Sequence, residues 1–201
     1  PNSFLGPRQR QAAWQRLGGE QFDVVVIGGG VVGAGCALDA ATRGLKVALV
    51  EARDLASGTS SRSSKMFHGG LRYLEQLEFG LVREALHERE LSLTTLAPHL
   101  VKPLPFLYPL TKRYWERPYM AAGLFLYDQM GGAKSVPAQR HLTRAGALRL
   151  CPGLKRSSLI GGIRYYDTVV DDARHTMTVA RTAANYGAVV RSSTQVVDLL
   201  R

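Results

Sequence analysis

The segment FDVVVIGGGVVG, residues 22–33, constrains the fold more than any other stretch of the chain. Phe22 to Ile27 is a continuous run rich in β-branched residues, the pattern of a strand buried on both faces. Three glycines break it. Val31 to Arg43 then reads as a helix, with Val32, Cys36, Ala40 and Ala41 on a small-residue face suited to close helix–sheet packing. Gly44 ends that helix, and Leu45 to Val50 forms a second strand. Strand, turn, helix and strand within about 30 residues make a βαβ unit with parallel strands.

Gly28-Gly29-Gly30-Val31-Val32-Gly33 is a GxGxxG placed directly after a strand and opening a helix. Each glycine has a steric task. Gly28 permits the tight turn, Gly30 lets the backbone approach a diphosphate, and Gly33 lets helix and strand pack closely. The phosphates would meet N–H groups at the positive end of the helix. Glu51 ends the second strand 18 residues after Gly33, where an acid reaches ribose hydroxyls and disfavours a 2′-phosphate. A glycine turn with an unrelated surface glutamate is the bland alternative. The correct context on both sides favours a dinucleotide site, and the motif itself leaves FAD and NAD open.

Between Arg53 and Tyr73 the sequence is RDLASGTSSRSSKMFHGGLRY. So many hydroxyls before Gly69-Gly70 make little sense as packing. Hydroxyls and amides at a glycine-permissive turn can bind a diphosphate and the edge of a flavin ring. A plain NAD domain has no need of such an insertion after its second strand.

Elsewhere the pattern is mixed. Residues 1–20 form a polar, Arg/Gln-rich lead-in with a short helix around Trp14. Phe79 to Ala97 reads as a helix with Val82, Leu86, Leu93 and Leu96 near one face, stopped by Pro98. Pro98 to Pro118, rich in proline and aromatics, predicts short strands and turns in a different layer. Asp171 or Asp172 caps a helix from Ala173 to Tyr186, Gly187 stops it, and Ala188 to Leu200 is a strand or hairpin.

With 45% hydrophobic and 21% charged residues the chain is ordinary for a globular protein, which excludes disorder over most of its length. The net charge of +10 fits a partner that is nucleic acid, anionic lipid or a phosphorylated small molecule, and equally a solvated basic surface. Cys36 and Cys151 show no metal-ligand spacing; Cys36 reads as a packing residue, and two scattered cysteines suit a reducing compartment. No signal-peptide pattern opens these residues, and no run approaches the roughly 18 apolar residues of a spanning helix.

The strings GGGVVGAGCALDAATRGLKVALVEARDLASG and TSSRSSKMFHGGLRYLE resemble the FAD-dependent glycerol-3-phosphate dehydrogenases, as do REALHERE, LAPHL, GLFLYDQMGG and VVDDAR in order and spacing. The likeness runs from about Phe22 to the C-terminus. It implies an α/β fold: a Rossmann-like, doubly wound FAD-binding sheet with part of an antiparallel substrate-binding domain. The expected division is a lead-in at 1–20, the FAD domain at 21–97 and 173–201, and the substrate domain at 98–172. The family is considerably longer, so the chain reads as the N-terminal part of a flavoenzyme that would bind FAD poorly alone.

The resemblance also implies roles. Gly28, Gly29, Gly30, Gly33, Glu51 and Ala52 would hold the ADP portion of FAD, with Val196 contacting adenine through its backbone. Thr59, Ser60, Ser63, Ser64, His68 and Gly69 would line the diphosphate, ribityl and flavin region. Arg72 and Tyr73 would face the phosphate of glycerol 3-phosphate, Arg72 through a bidentate guanidinium. His68 would donate to the flavin or move a proton, although a histidine beside two glycines also serves as a turn residue. Lys65 would pair with a phosphate or an acid, or simply extend to solvent. The implied reaction is oxidation to dihydroxyacetone phosphate by hydride transfer to flavin N5. Electrons would pass to quinone or another acceptor at the inner face of the cell membrane, in a cytoplasmic, peripheral protein able to form a homodimer.

Rival readings keep the fold and change the chemistry, as in a glycerol-3-phosphate oxidase or an amine or amino-acid oxidase; the HGGLRY block argues against the latter two. A basic nucleic-acid-binding module is the rival from another class. It rests on Lys112-Arg113-Tyr114-Trp115-Glu116-Arg117, which equally suits a membrane interface or a plain loop.

Overall fold

The computed structural model describes residues 5–130 and 135–200, the side chains of Leu71 and Arg72 excepted. In chain order the elements are α1 (Pro7–Gly19), β1 (Val24–Ile27), α2 (Val31–Thr42), β2 (Val47–Val50), β3 (Met66–Phe67), α3 (Leu71–Glu75) and α4 (Phe79–Leu91). There follow β4 (Lys102–Leu110), α5 (Glu116–Met130), β5 (Arg140–Thr143), α6 (Arg144–Leu150), β6 (Gly161–Val169), α7 (Asp172–Asn185) and β7 (Val189–Arg191). They fall into two units: the chain up to Lys65 with the chain from Asp171 onward, and Met66–Val170.

The first unit is built on a parallel sheet in the order β1-β2-β7. Side chains alternate across β2. Val47 and Leu49 pack under α2 and α7, where Ala34, Ala37 and Ala41 meet Ala180, Ala183 and Ala184. Ala48 faces the other way, against Ala13 of α1 and Val189. Helices thus cover both faces, as a doubly wound sheet requires.

Several expectations are corrected here. The helix expected around Trp14 forms and runs over 13 residues; it packs through Ala13 and Leu17, one turn apart, so the lead-in is not purely polar. Among the described residues β1 pairs with β2 alone, and Val25 and Ile27 are 56% and 59% exposed, since α1 lies over β2 and β7. The buried stripe of α2 is Ala34, Ala37 and Ala41, so Cys36 is exposed rather than a packing residue. Of the strand and hairpin alternatives for 188–200, the described residues show one strand, β7.

Asp171 is the residue that caps α7, accepting the Arg174 N–H at 3.2 Å. Gly187 follows the helix at φ +97°, the left-handed conformation a glycine adopts without strain.

In the second unit β6 is the central strand. β4 pairs antiparallel along its whole length, from Lys102 opposite Val169 to Leu110 opposite Gly161. β3 and β5 pair with β6 near its two ends. The division between units falls at 65/66 rather than 97/98, because Met66 and Phe67 pair with Val169 and Thr168 and carry the following helices into this unit. The stretch read as short strands and turns holds one nine-residue strand despite Pro103, Pro105 and Pro109. Among the described residues β4 pairs with β6 alone, and its other side is left unpaired, where proline is tolerated. α4 ends at Leu91 in a π turn over Ser92–Leu96, which carries Leu96 off the expected face to 66% exposure.

Candidate dinucleotide site and the turn at His68

Gly28 sits at φ +110° and donates its N–H to Val50 O at 2.8 Å, which ties the turn to the end of β2. A Cβ on Gly33 would stand 2.0 Å from the Gly28 carbonyl oxygen, so the first turn of α2 touches the strand end with no room for a side chain. Gly30 is the N-cap of α2 and brings no side-chain cap of its own. The Val31 N–H instead donates to Ser60 Oγ at 2.9 Å. Ser60 lies in a 3-10 turn, Thr59–Ser61, so the hydroxyl-rich segment folds back to the open end of the helix.

Glu51 directs its carboxylate into the same corner. One oxygen accepts the Gly29 N–H at 2.8 Å and the other the Arg53 N–H at 2.7 Å. The amides of Arg53 and Gly29 hold the Glu51 carboxyl below the usual carboxylate range, outweighing the upward push of partial burial. A carboxylate has about four lone-pair sites, so two accepted amides leave capacity for sugar hydroxyls. The return segment after β7 is stapled alongside: Ser193 N–H donates to Arg53 O at 2.7 Å and Thr194 N–H to Glu51 O at 2.8 Å. Val196 follows two residues later and is 36% exposed.

The sites expected from sequence divide accordingly. Gly28, Gly29, Gly30, Gly33, Glu51 and Ser60 converge at the mouth of α2. Ala52 and Thr59 are exposed nearby in sequence. Ser63 turns to α7 instead, donating its hydroxyl to Asp172, while Ser64 and Lys65 are exposed.

In the second unit His68 is exposed and borders a cleft of about 320 Å³ whose walls include Phe67, Glu88 and Arg89. Gly69 is buried, and a Cβ there would lie 2.3 Å from Leu86 Cδ2. Its N–H donates to Tyr127 Oη at 2.8 Å, and that hydroxyl donates in turn to Asp167 Oδ2 at 2.9 Å. The other Asp167 oxygen receives Arg89 Nη1 at 2.9 Å in an ion pair with side chains 2% and 6% exposed. Burial, reinforced by the Asp167 charge, pushes the Tyr127 hydroxyl up, so it keeps its proton and its donor role. Tyr73 is partly buried against Val82, Leu86 and Tyr127. The Arg72 side chain lies outside the described residues.

This Arg89–Asp167–Tyr127–Gly69 chain escaped the sequence reading. The available signal was a single one: REALHERE places Arg89 a helical turn beyond Leu86, on the apolar face of α4. Its effect is to fix the backbone of the turn that carries His68.

A parallel βαβ unit whose glycine turn opens a helix, with a carboxylate at the end of the second strand, defines an α/β dinucleotide-binding protein. The features also meet the demands of FAD: a close glycine approach, a helix N-terminus and an acid with spare acceptor capacity. The model of the FAD dependent oxidoreductase family matches residues 23–201, and the chain belongs to that family. It is 90% identical over 201 residues to a glycerol-3-phosphate dehydrogenase of Mycobacterium leprae (strain TN), covering 100% of this chain and 34% of that protein. It is 46% identical over 203 residues to the mitochondrial glycerol-3-phosphate dehydrogenase of Rattus norvegicus, covering 97% of this chain and 28% of that one. Among solved structures, the glycerol-3-phosphate dehydrogenase of Bacillus halodurans complexed with FAD superposes with a TM-score of 0.67 at 31% identity, over 96% of this chain and 30% of that chain. The chain thus spans about a third of the length of the curated relatives it matches.

Proposed function

We propose that this chain carries the cofactor-binding core of a glycerol-3-phosphate dehydrogenase, which oxidises sn-glycerol 3-phosphate to dihydroxyacetone phosphate. The observation that carries the reading is the 90% identity to the mycobacterial enzyme across all 201 residues. The main rivals within the fold are a glycerol-3-phosphate oxidase and an amine or amino-acid oxidase.

Gly28, Gly29, Gly30 and Gly33 give the diphosphate its backbone approach, Glu51 with Ala52 takes the adenosine ribose, and Val196 lies on the adenine side. Thr59, Ser60, Ser64, His68 and Gly69 serve the diphosphate, ribityl and ring portions, while the Ser63 hydroxyl is taken by Asp172. Bound flavin supplies the hydride acceptor. The chain's own residues must then hold the substrate phosphate and handle the hydroxyl proton. Arg72 matches a phosphate with a planar fork, and Tyr73 stands beside it in sequence. His68 is the residue assigned to proton movement or to donation toward the ring, on a turn whose backbone the buried Tyr127 hydroxyl fixes. Electrons then pass to a quinone or another acceptor, in a protein that is cytoplasmic, peripheral to the membrane and able to form a homodimer.

Anaerobic addition of glycerol 3-phosphate to the full-length protein tests the reading. The flavin absorbance near the visible maximum is expected to bleach with glycerol 3-phosphate and to stay unchanged with amino acids. Bleaching by amino acids alone would overturn the substrate assignment. Fast reoxidation by air with peroxide formed would replace the dehydrogenase by an oxidase.

A further inference from the structure

Glu51 is held by its main chain as well as by its carboxylate. Its N–H donates to Arg191 O at 2.9 Å, and its carbonyl accepts the Thr194 N–H at 2.8 Å. The Arg53 carbonyl, two residues on, accepts the Ser193 N–H at 2.7 Å. The turn Arg191–Thr194 therefore sets where the Glu51 side chain starts, and it also ties down Arg53, whose amide orients the carboxylate. That turn needs support. Ser193 stands at φ +50°, a left-handed conformation that is costly for a residue with a side chain and persists where its surroundings hold it.

The support comes from the Arg191 guanidinium and from α1. Arg191 Nε donates to Thr194 Oγ1 at 2.9 Å, which closes the turn on itself. Arg191 Nη1 donates to the Arg10 carbonyl, and the guanidinium carbon lies 4.6 Å from the centre of the Trp14 ring. Arg10 Nη1 in turn donates to Ser192 Oγ at 2.9 Å. A planar fork that bonds along its edge and stacks by its face is a use of arginine that lysine cannot copy. α1 ends at Gly19, ahead of residues 23–201 that match the family, so the dinucleotide motif does not account for these contacts.

We propose that Arg191, with Arg10 and Trp14 of α1, is a positioning element for the adenosine end of the cofactor. α1 grips the turn Arg191–Thr194, and the turn aims Glu51 at the ribose hydroxyls. Arg191, Arg10 and Trp14 act through Glu51 and need no contact with the cofactor. The inference deepens the cofactor role proposed for Glu51, rests on that role, and is independent of the substrate.

Equilibrium titration of the flavin-free, full-length protein with FAD, followed by flavin fluorescence, tests it. Arg191→Met is expected to raise the FAD and ADP dissociation constants about tenfold, through loss of hydrogen bonds from a charged donor. Trp14→Ala, at a ring that is 59% exposed, is expected to raise them roughly threefold. The double variant Arg191→Met with Glu51→Gln separates positioning from plain stability. If Arg191 acts through Glu51, the double variant binds FAD no more weakly than Glu51→Gln alone; a role in stability only makes the two losses add. Should Arg191→Met fail to fold, Trp14→Ala with Glu51→Gln closes the same cycle. Natural affinity in both the Arg191 and Trp14 variants, or losses that add in the double variant, overturn the proposal and leave Glu51 its role. Unchanged affinity in Glu51→Gln alone overturns the role of Glu51 and this inference together.

Discussion

The Gly28 carbonyl oxygen occupies the space where a side chain on Gly33 would begin, 2.0 Å from the built Cβ position. Gly33 lies in the first turn of α2, so its backbone is already set by the helix. Gly33→Ala is therefore expected to push helix and strand end apart. Overpacking of this kind costs about 1–3 kcal/mol. The full-length variant should show a lowered thermal midpoint and at least about a tenfold loss of bound flavin, the latter measured by absorbance after desalting.

Glu51 gives the corner an acid limit. Its carboxyl is held low by the Arg53 and Gly29 amides, so protonation is opposed in the folded state. A depressed carboxyl contributes stability that is complete above its unfolded value, about 4.3, and is lost as pH falls through the folded value. Glu51→Gln removes that dependence. Thermal midpoints of the natural protein and the variant, compared from neutral pH to below pH ~4, should diverge at neutral pH and converge toward the acid end.

Tyr127 is the hub of the buried chain in the second unit. Tyr127→Phe leaves the Gly69 N–H and one Asp167 oxygen without their partner, at a cost of about 1–3 kcal/mol. Asp167→Asn strips the Arg89 guanidinium of its counter-charge and costs about 3–5 kcal/mol. Hydrogen exchange read at Gly69 should accelerate in Tyr127→Phe while amides of β2 keep their protection. Uniform acceleration across both units would contradict a local role.

Gly69 is a packing glycine as well as a turn residue. A Cβ there would lie 2.3 Å from Leu86 Cδ2 and 2.7 Å from Tyr127 Oη. Gly69→Ala should therefore destabilise, and trimming the neighbour with Leu86→Ala should recover part of the loss. A double-mutant cycle on thermal midpoints measures that coupling; strict additivity would contradict it.

The legible parts of the fold were those written locally. β1, the glycine turn, α2, β2 and Glu51 lie within 30 consecutive residues, and each is fixed by neighbours in sequence. The cap at Asp171 and the stop at Gly187 are likewise short-range. What sequence did not yield depends on partners far along the chain. Hydrophobicity marks β1 as a strand but does not say that α1 packs over β2 and β7, which only the tertiary fold shows. The unit boundary at Lys65 depends on Met66 pairing with Val169, about a hundred residues away.

The same holds for the site. The hydroxyl-rich segment could be read as polar and exposed, whereas its contact from Ser60 to the Val31 N–H spans 29 residues and needs the tertiary fold. Arg89 looks like one more surface charge on an amphipathic helix. Its burial makes sense only with Asp167, 78 residues later. Prolines hid β4 because they remove ladder donors, a loss that matters only on the paired side of the strand.

Competition binding to the flavin-free, full-length protein tests the central claim most directly. If the mouth of α2 with Glu51 holds the ADP half of the cofactor, ADP displaces FAD from the protein while FMN does not, and Glu51→Gln weakens ADP and FAD together. Displacement by FMN with no effect of ADP would contradict it.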